Sequence, residues 1–195
     1  MARRRAAETP EDFRKRWTAE HPTKSVITFA TGEIALGGAE PPFDGMSATY
    51  FPTEDATLAA ARQFSGDIVL PCEEHLMSQK PKPEIKLKIV RTVYRRRDLT
   101  LQQFKDYWLE NHSKLEERVI AESPVQKIVA TFAIPEPGRD PDFDGMVELY
   151  FSSPEDMRAM FGGPIPAMMR KDEENFVQMD APAIRVVCEE RVLQA

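Results

Sequence analysis

One phrase is spoken twice along this chain, and the repetition limits what the chain can fold into. Thr9, Phe13, Trp17 and His21 recur as Thr100, Phe104, Trp108 and His112, each shifted by 91 positions. With only two tryptophans and three histidines in 195 residues, chance is a poor account of that match. A second phrase, Phe43-Asp-Gly-Met46, returns unchanged as Phe143-Asp-Gly-Met146, and Tyr-Phe follows both (Tyr50-Phe51, Tyr150-Phe151). Repeats that stack as solenoids run to about 20–50 residues, so a period near ~90–100 describes a small domain. The reading is two copies of one domain, residues 1–80 and 84–195, joined by the proline-broken linker Gln79-Lys-Pro-Lys-Pro83.

Local patterns supply the elements. Thr100 with Gln103 reads as a capping box, and the four-residue spacing of Phe104, Trp108 and His112 predicts an aromatic stripe ending in an imidazole. The second copy reads as strand Ile85–Tyr94, helix Thr100–His112, a connection to Val125, strand Val125–Ile134 and a Pro/Gly loop Pro135–Asp142. Strand Met146–Phe151, a helix capped by Ser153, a further helical stretch toward Val177 and strand Ala183–Leu193 follow. That order, β-α-β-β-α-β, is the ferredoxin-like split unit. The first copy has room for helix, strand Val26–Thr31, loop Ile34–Pro42, strand Met46–Phe51 and helix Thr53–Phe64. It lacks the first strand, and its connection after His21 shrinks to Pro22–Ser25. Glu73-Glu-His-Leu76 matches Glu173-Glu-Asn-Phe176 as an acidic close to each copy, which puts His75 in a solvated helical stretch.

Composition excludes several function classes. A net charge of −6 argues against nucleic acid as a partner, because phosphate binding needs a basic face. No apolar run is long enough to span a membrane or to follow Arg3-Arg4-Arg5 as a signal peptide. Cys72 and Cys188 have no metal-ligand spacing, so reduced thiols and a cytoplasmic location are the expectation. No phosphate loop, metal motif or cofactor fingerprint occurs, so no metal and no cofactor are expected.

Arg95-Arg-Arg97, then Phe-x-x-Tyr-Trp-x-x-x-His112, then Phe143-Asp-Gly-Met-Val-Glu-Leu-Tyr-Phe151, together resemble the EthD family of the dimeric α+β-barrel superfamily. The likeness covers residues 84–193 well and residues 4–77 through the shared phrases alone. It implies an α+β fold in which tandem ferredoxin-like repeats, the first truncated, pack their bare sheet faces into a barrel around a small molecule. It also implies cofactor-independent work such as dehydration, cyclisation or decarboxylation.

Strand alternation then selects site residues. Val147, Leu149 and Phe151 suit a helix-covered face, which leaves Glu148 and Tyr150 on the other, with Tyr94 on the matching face of its strand. His112 and Glu148 are the candidate acid/base pair; Tyr94, Trp108, Tyr150 and Arg96 are the candidate substrate contacts. Arg96 could hold a substrate carboxylate through its planar fork. Ala48 stands where Glu148 has its counterpart in the first copy, so chemistry is expected in the second copy alone. The predicted function is a lyase-like enzyme using His112 as base on an aromatic or polyketide-like compound. The competing reading is a non-catalytic carrier or an accessory protein of a degradation pathway. A homodimer is expected, to cover the edge that the missing strand leaves.

Overall fold

Thr9 starts the first helix, its Oγ1 accepting from Asp12 N at 3.1 Å, with Pro10 in the first turn. A computed structural model describes residues 1–21, 25–31, 42–64 and 66–193. Its helices are α1 (Pro10–Glu20), α2 (Glu54–Ala61), α3 (Leu101–Tyr107), α4 (Ser113–Glu122), α5 (Pro154–Gly162) and α6 (Ile165–Glu173). Its strands are β1 (Ser25–Ala30), β2 (Gly45–Thr49), β3 (Cys72–Gln79), β4 (Leu87–Val93), β5 (Lys127–Ala133), β6 (Gly145–Phe151) and β7 (Arg185–Val192). The fold is α+β: β1 pairs antiparallel with β2 and β7, β3 with β5, and β6 with β4 and β5, and β4 to β7 run in the β-α-β-β-α-β order. Most of the Ile34–Pro42 loop and of the Pro22–Ser25 connection falls outside the described residues.

The chain forms two compact units, residues 1–71 with 185–195 and residues 72–184. The first carries strands in the order β2-β1-β7, with α1 laid on them. Phe13 and Trp17 stack on each other at 5.5 Å and pack on Ala2, Ile27 and Phe29. The edge of β2 opposite β1 carries a bridge from Ala2 to Gly45.

The second unit carries the order β4-β6-β5-β3. Thr100 and Gln103 make the reciprocal capping box, and Phe104 and Trp108 pack with Val93, Ala130, Phe132 and Phe176. Two sequence expectations are corrected here. The helix does not end at His112: a π-helical turn, Trp108–His112, links α3 to α4, and the helical run continues to Glu122 through the expected connection. Nor is Glu73–Leu76 helical. Cys72–Gln79 alternates with period two and pairs with β5, so it has no likeness to the turn after α6. His75 lies in that strand, its ring edge on Phe132 and its Nε2 3.4 Å from Glu73.

The phrase Phe-Asp-Gly-Met has the same job in both units. Phe43 and Phe143 are buried. Asp44 accepts from Arg4 N and pairs with its guanidinium, and Asp144 does the same for Arg95. A Cβ on Gly45 would stand 2.8 Å from the Phe13 ring, and one on Gly145 would stand 2.9 Å from Thr131 O and 3.2 Å from Phe104. Glycine at these places lets the aromatic stripe reach the strand. Gly145→Ala and Gly45→Ala should therefore each lose about 1–3 kcal/mol in urea unfolding, as overpacking does. Gly162→Ala, where nothing lies within 4 Å of a Cβ, is the neutral control.

Candidate functional site

The helix-covered face of the second unit holds a buried polar cluster. His112 closes the π turn and is 2% exposed, its ring lying 5.6 Å from Trp108 and 5.0 Å from Phe176. Its Nδ1 lies 2.7 Å from Asp172 Oδ2 on α6. A carboxylate oxygen only accepts, so Nδ1 carries the hydrogen and Nε2 keeps its lone pair. The bond from Nδ1 is the one hydrogen bond of the ring among the described residues. Asp172 is held in turn by Tyr107, whose hydroxyl donates to Oδ1 at 3.0 Å. Burial lowers the His112 pKa, and the Asp172 bond opposes that shift, so the ring is neutral at pH 7.

Two more buried groups border this cluster. Arg91 on β4 gives Nη1 to Glu173 at 2.6 Å, while its buried Nε has no partner. Glu116 on α4 is 1% exposed; Trp108 Nε1 donates to its Oε1 at 3.0 Å, and its Oε2 has no partner. Burial pushes the Glu116 carboxyl up to about 7, against the opposing bond from Trp108.

Glu148 belongs to a different place. Val147 packs against the aromatic cluster, so its neighbour Glu148 leaves the sheet on the opposite face. There Lys88 Nζ donates to both carboxylate oxygens at 3.0 Å, and the Tyr150 hydroxyl donates to one of them. Lys127 lies over the Tyr150 ring at 4.6 Å. Lys88, Glu148 and Tyr150 are all buried. Cys72 shares this surroundings: burial first, then the charges of Glu74 and Glu148, push its thiol up to about 12, where it is inert.

The expected pairing of His112 with Glu148 is therefore corrected: the sheet stands between them, and Asp172 orients the imidazole. Trp108 lies beside His112, as a core residue with a polar tip on Glu116. Tyr150 stays with Glu148. Tyr94 follows β4, half-buried, its phenol pKa raised by burial and by the charges of Asp142 and Asp144. Arg96 borders an open depression of about 370 Å³ that contains neither His112 nor Glu148. Its fork is already engaged by Asp98, through Nε at 2.9 Å and Nη2 at 2.6 Å. His21, the counterpart of His112, donates Nδ1–H to the Trp17 carbonyl at 2.6 Å and accepts at Nε2 from Ser47 at 2.7 Å. It has no carboxylate partner and no idle nitrogen. Lys88, Arg91, Glu116 and Asp172 were missed from the sequence. Only Glu116, at helical spacing from His112, and Lys88, opposite Tyr150 in an apolar strand, left a signal there.

Among the described residues no helix is long and apolar enough to cross a membrane, and no group of three or more His, Cys, Asp or Glu could hold a metal ion.

Stability should carry the mark of both buried groups. The folded Glu116 pKa lies above its unfolded value of about 4.5, so its contribution is full below that value and is lost as pH rises through about 7. Between about pH 6 and pH 8.5 the wild type should lose about 1 kcal/mol that Glu116→Gln keeps, read by urea unfolding at both pH values. His112 has the opposite sign: its pKa falls on folding, so stability declines as pH drops through about 6.5, and His112→Gln removes that decline.

Comparison with known proteins places this half of the chain. The family model described as the EthD domain matches residues 96–180. No curated protein matches the chain. One similar solved structure is an ethyl tert-butyl ether D (EthD) family protein of Bacillus halodurans. It is 16% identical, with a TM-score of 0.42 over 53% of this chain and 96% of that one. Another is a protein of Lactobacillus acidophilus provisionally described as a monooxygenase. It is 10% identical, with a TM-score of 0.47 over 91% of this chain and 81% of that one. The cluster of His112, Trp108, Tyr107, Glu116 and Asp172 falls wholly inside the residues 96–180 that match the EthD domain.

Proposed function

We propose that the chain is a cofactor-independent lyase of dehydratase, decarboxylase or cyclase type, acting on a small aromatic or polyketide-like compound. The observation that carries this reading is the His112–Asp172 bond, which fixes one tautomer and leaves Nε2 as the basic nitrogen. In this reading Nε2 takes a proton from a carbon beside a carbonyl. Asp172 stabilises the imidazolium that forms, and Tyr107 holds Asp172 in place. The unpartnered Nε–H of Arg91 is the donor available to the oxygen that gains charge. At 2% exposure His112 meets a substrate only after α4 and α6 part, so opening precedes chemistry. The proposal includes a homodimer, in which a second copy pairs along the edge of β2 beyond the Ala2 bridge.

One observation favours a second reading. The burial of the dyad suits a polar clamp between helices, in a carrier or an accessory protein with no turnover of its own. Ligand screening by thermal shift, followed by turnover assays on the compounds that stabilise the fold, separates the two. His112→Ala should lower kcat by about two to four decades with binding retained, and Asp172→Asn should lower it too. His21→Ala should leave kcat near wild type. In the wild type kcat/KM should fall on the acid side, below about pH 6.5, as the free imidazole takes up a proton. Turnover that survives His112→Ala, or no turnover with any stabilising ligand, gives the answer to the carrier.

A further inference from the structure

The dyad supplies a base, and a lyase acting on a hydroxyl also needs an acid. The second unit holds one buried acid that has no task so far. Glu116 lies four residues after His112 and eight after Trp108, along one strip of the same helical run. The Trp108 indole touches both: its ring lies 5.6 Å from that of His112, and its Nε1–H reaches Glu116 Oε1. The other oxygen, Oε2, is buried with no hydrogen-bond partner. A buried carboxylate with one bare oxygen is poorly tolerated, whereas the neutral acid places a proton there.

Among the described residues, the cations of the neighbouring elements are already paired and none acts on Glu116. Lys105 pairs with Glu73 and Arg91 with Glu173, while His75 lies beside Glu73 and Asp172 is taken by His112. Tyr107 on α3, the other titratable group packed on this layer, gives its hydroxyl hydrogen to Asp172.

We propose, resting on the His112 reading, that Glu116 is the proton donor of that site and that the substrates are β-hydroxycarbonyl compounds. His112 Nε2 removes the α-proton, and the electron pair of that C–H bond becomes the new C=C bond. The β C–O bond breaks, and its electron pair stays on oxygen, which takes the Oε2 proton and leaves as water. The site is left as imidazolium and carboxylate, and one proton passed from His112 to Glu116 restores it. No oxidant, reductant or metal is needed. The elevated Glu116 pKa keeps about half of the acid protonated at neutral pH, which suits the role.

Two readouts test this. In a Trp17→Phe background, where Trp108 is the remaining tryptophan, its fluorescence should titrate with a midpoint near 7. Glu116→Gln should abolish that step and His112→Asn should leave it. No step near 7, or a step that survives Glu116→Gln, overturns the proposal without any substrate.

The second readout compares a β-hydroxy ketone with its β-acetoxy analogue, whose leaving group departs without a proton. Glu116→Gln should lower turnover of the hydroxyl compound by about two to four decades and leave the acetate within about threefold. His112→Asn should depress both. Equal losses on both compounds in Glu116→Gln make Glu116 structural and overturn the proposal while the His112 reading stands. Turnover unaffected by His112→Asn overturns the His112 reading, and this proposal with it. If Glu116→Gln does not fold, Glu116→Met fills the same volume without a proton and takes its place.

Discussion

The approach of an aromatic ring to a bare glycine holds this structure together. Phe13 against Gly45 and Phe104 against Gly145 bring helix and strand closer than any side chain at the glycine would allow. The ring buries its area on the sheet, the following tryptophan extends the contact, and the aspartate before each glycine clamps an arginine at the chain entry. Three neighbouring residues thus place a strand, a helix and the segment leading into them. The two units differ where this contact stops. The first helix ends at Glu20, with His21 spent on a carbonyl and a serine, and the second runs on and brings an imidazole to an aspartate.

The sheet of the second unit works as a partition between two kinds of polar chemistry. On one face Lys88, Glu148 and Tyr150 satisfy one another, and a buried pair with every oxygen engaged is a closed arrangement. On the helix-covered face His112, Arg91 and Glu116 each keep an atom without a partner. Proteins seldom leave buried polar atoms idle, and Arg91 Nε and Glu116 Oε2 are the two beside this layer, which is why the proposed chemistry is placed on this face.

Much of the fold was legible because it depends on short-range rules. The capping residues, the four-residue aromatic spacing and the period-two strands each state their element locally, and the doubled phrases state that two similar elements are present. The site was legible only in part. His112 stood out as an imidazole at the end of an aromatic stripe, but its partner Asp172 is 60 residues away in a run of charges with no pattern. Glu148 was visible from alternation, which also assigns it to the face away from the helices, and the error lay in pairing it with a histidine carried by the helices on the other face. Glu73–Leu76 was misread because its likeness to Glu173–Phe176 is one of composition. The pairing with β5 that makes it a strand is set by residues more than 50 positions away.

The π turn has a geometric effect beyond linking two helices. In an uninterrupted α-helix, eight residues carry the side chain about 80° around the axis, at about 100° per residue. Glu116 would then point well to one side of Trp108. A π turn absorbs one extra residue, which takes back about 100° and leaves the two within about 20° of the same line. The hydrogen bond from Trp108 to Glu116 is the visible result. One supernumerary residue therefore sets the phase of everything after it, and it decides whether the acid faces the aromatic layer or the solvent.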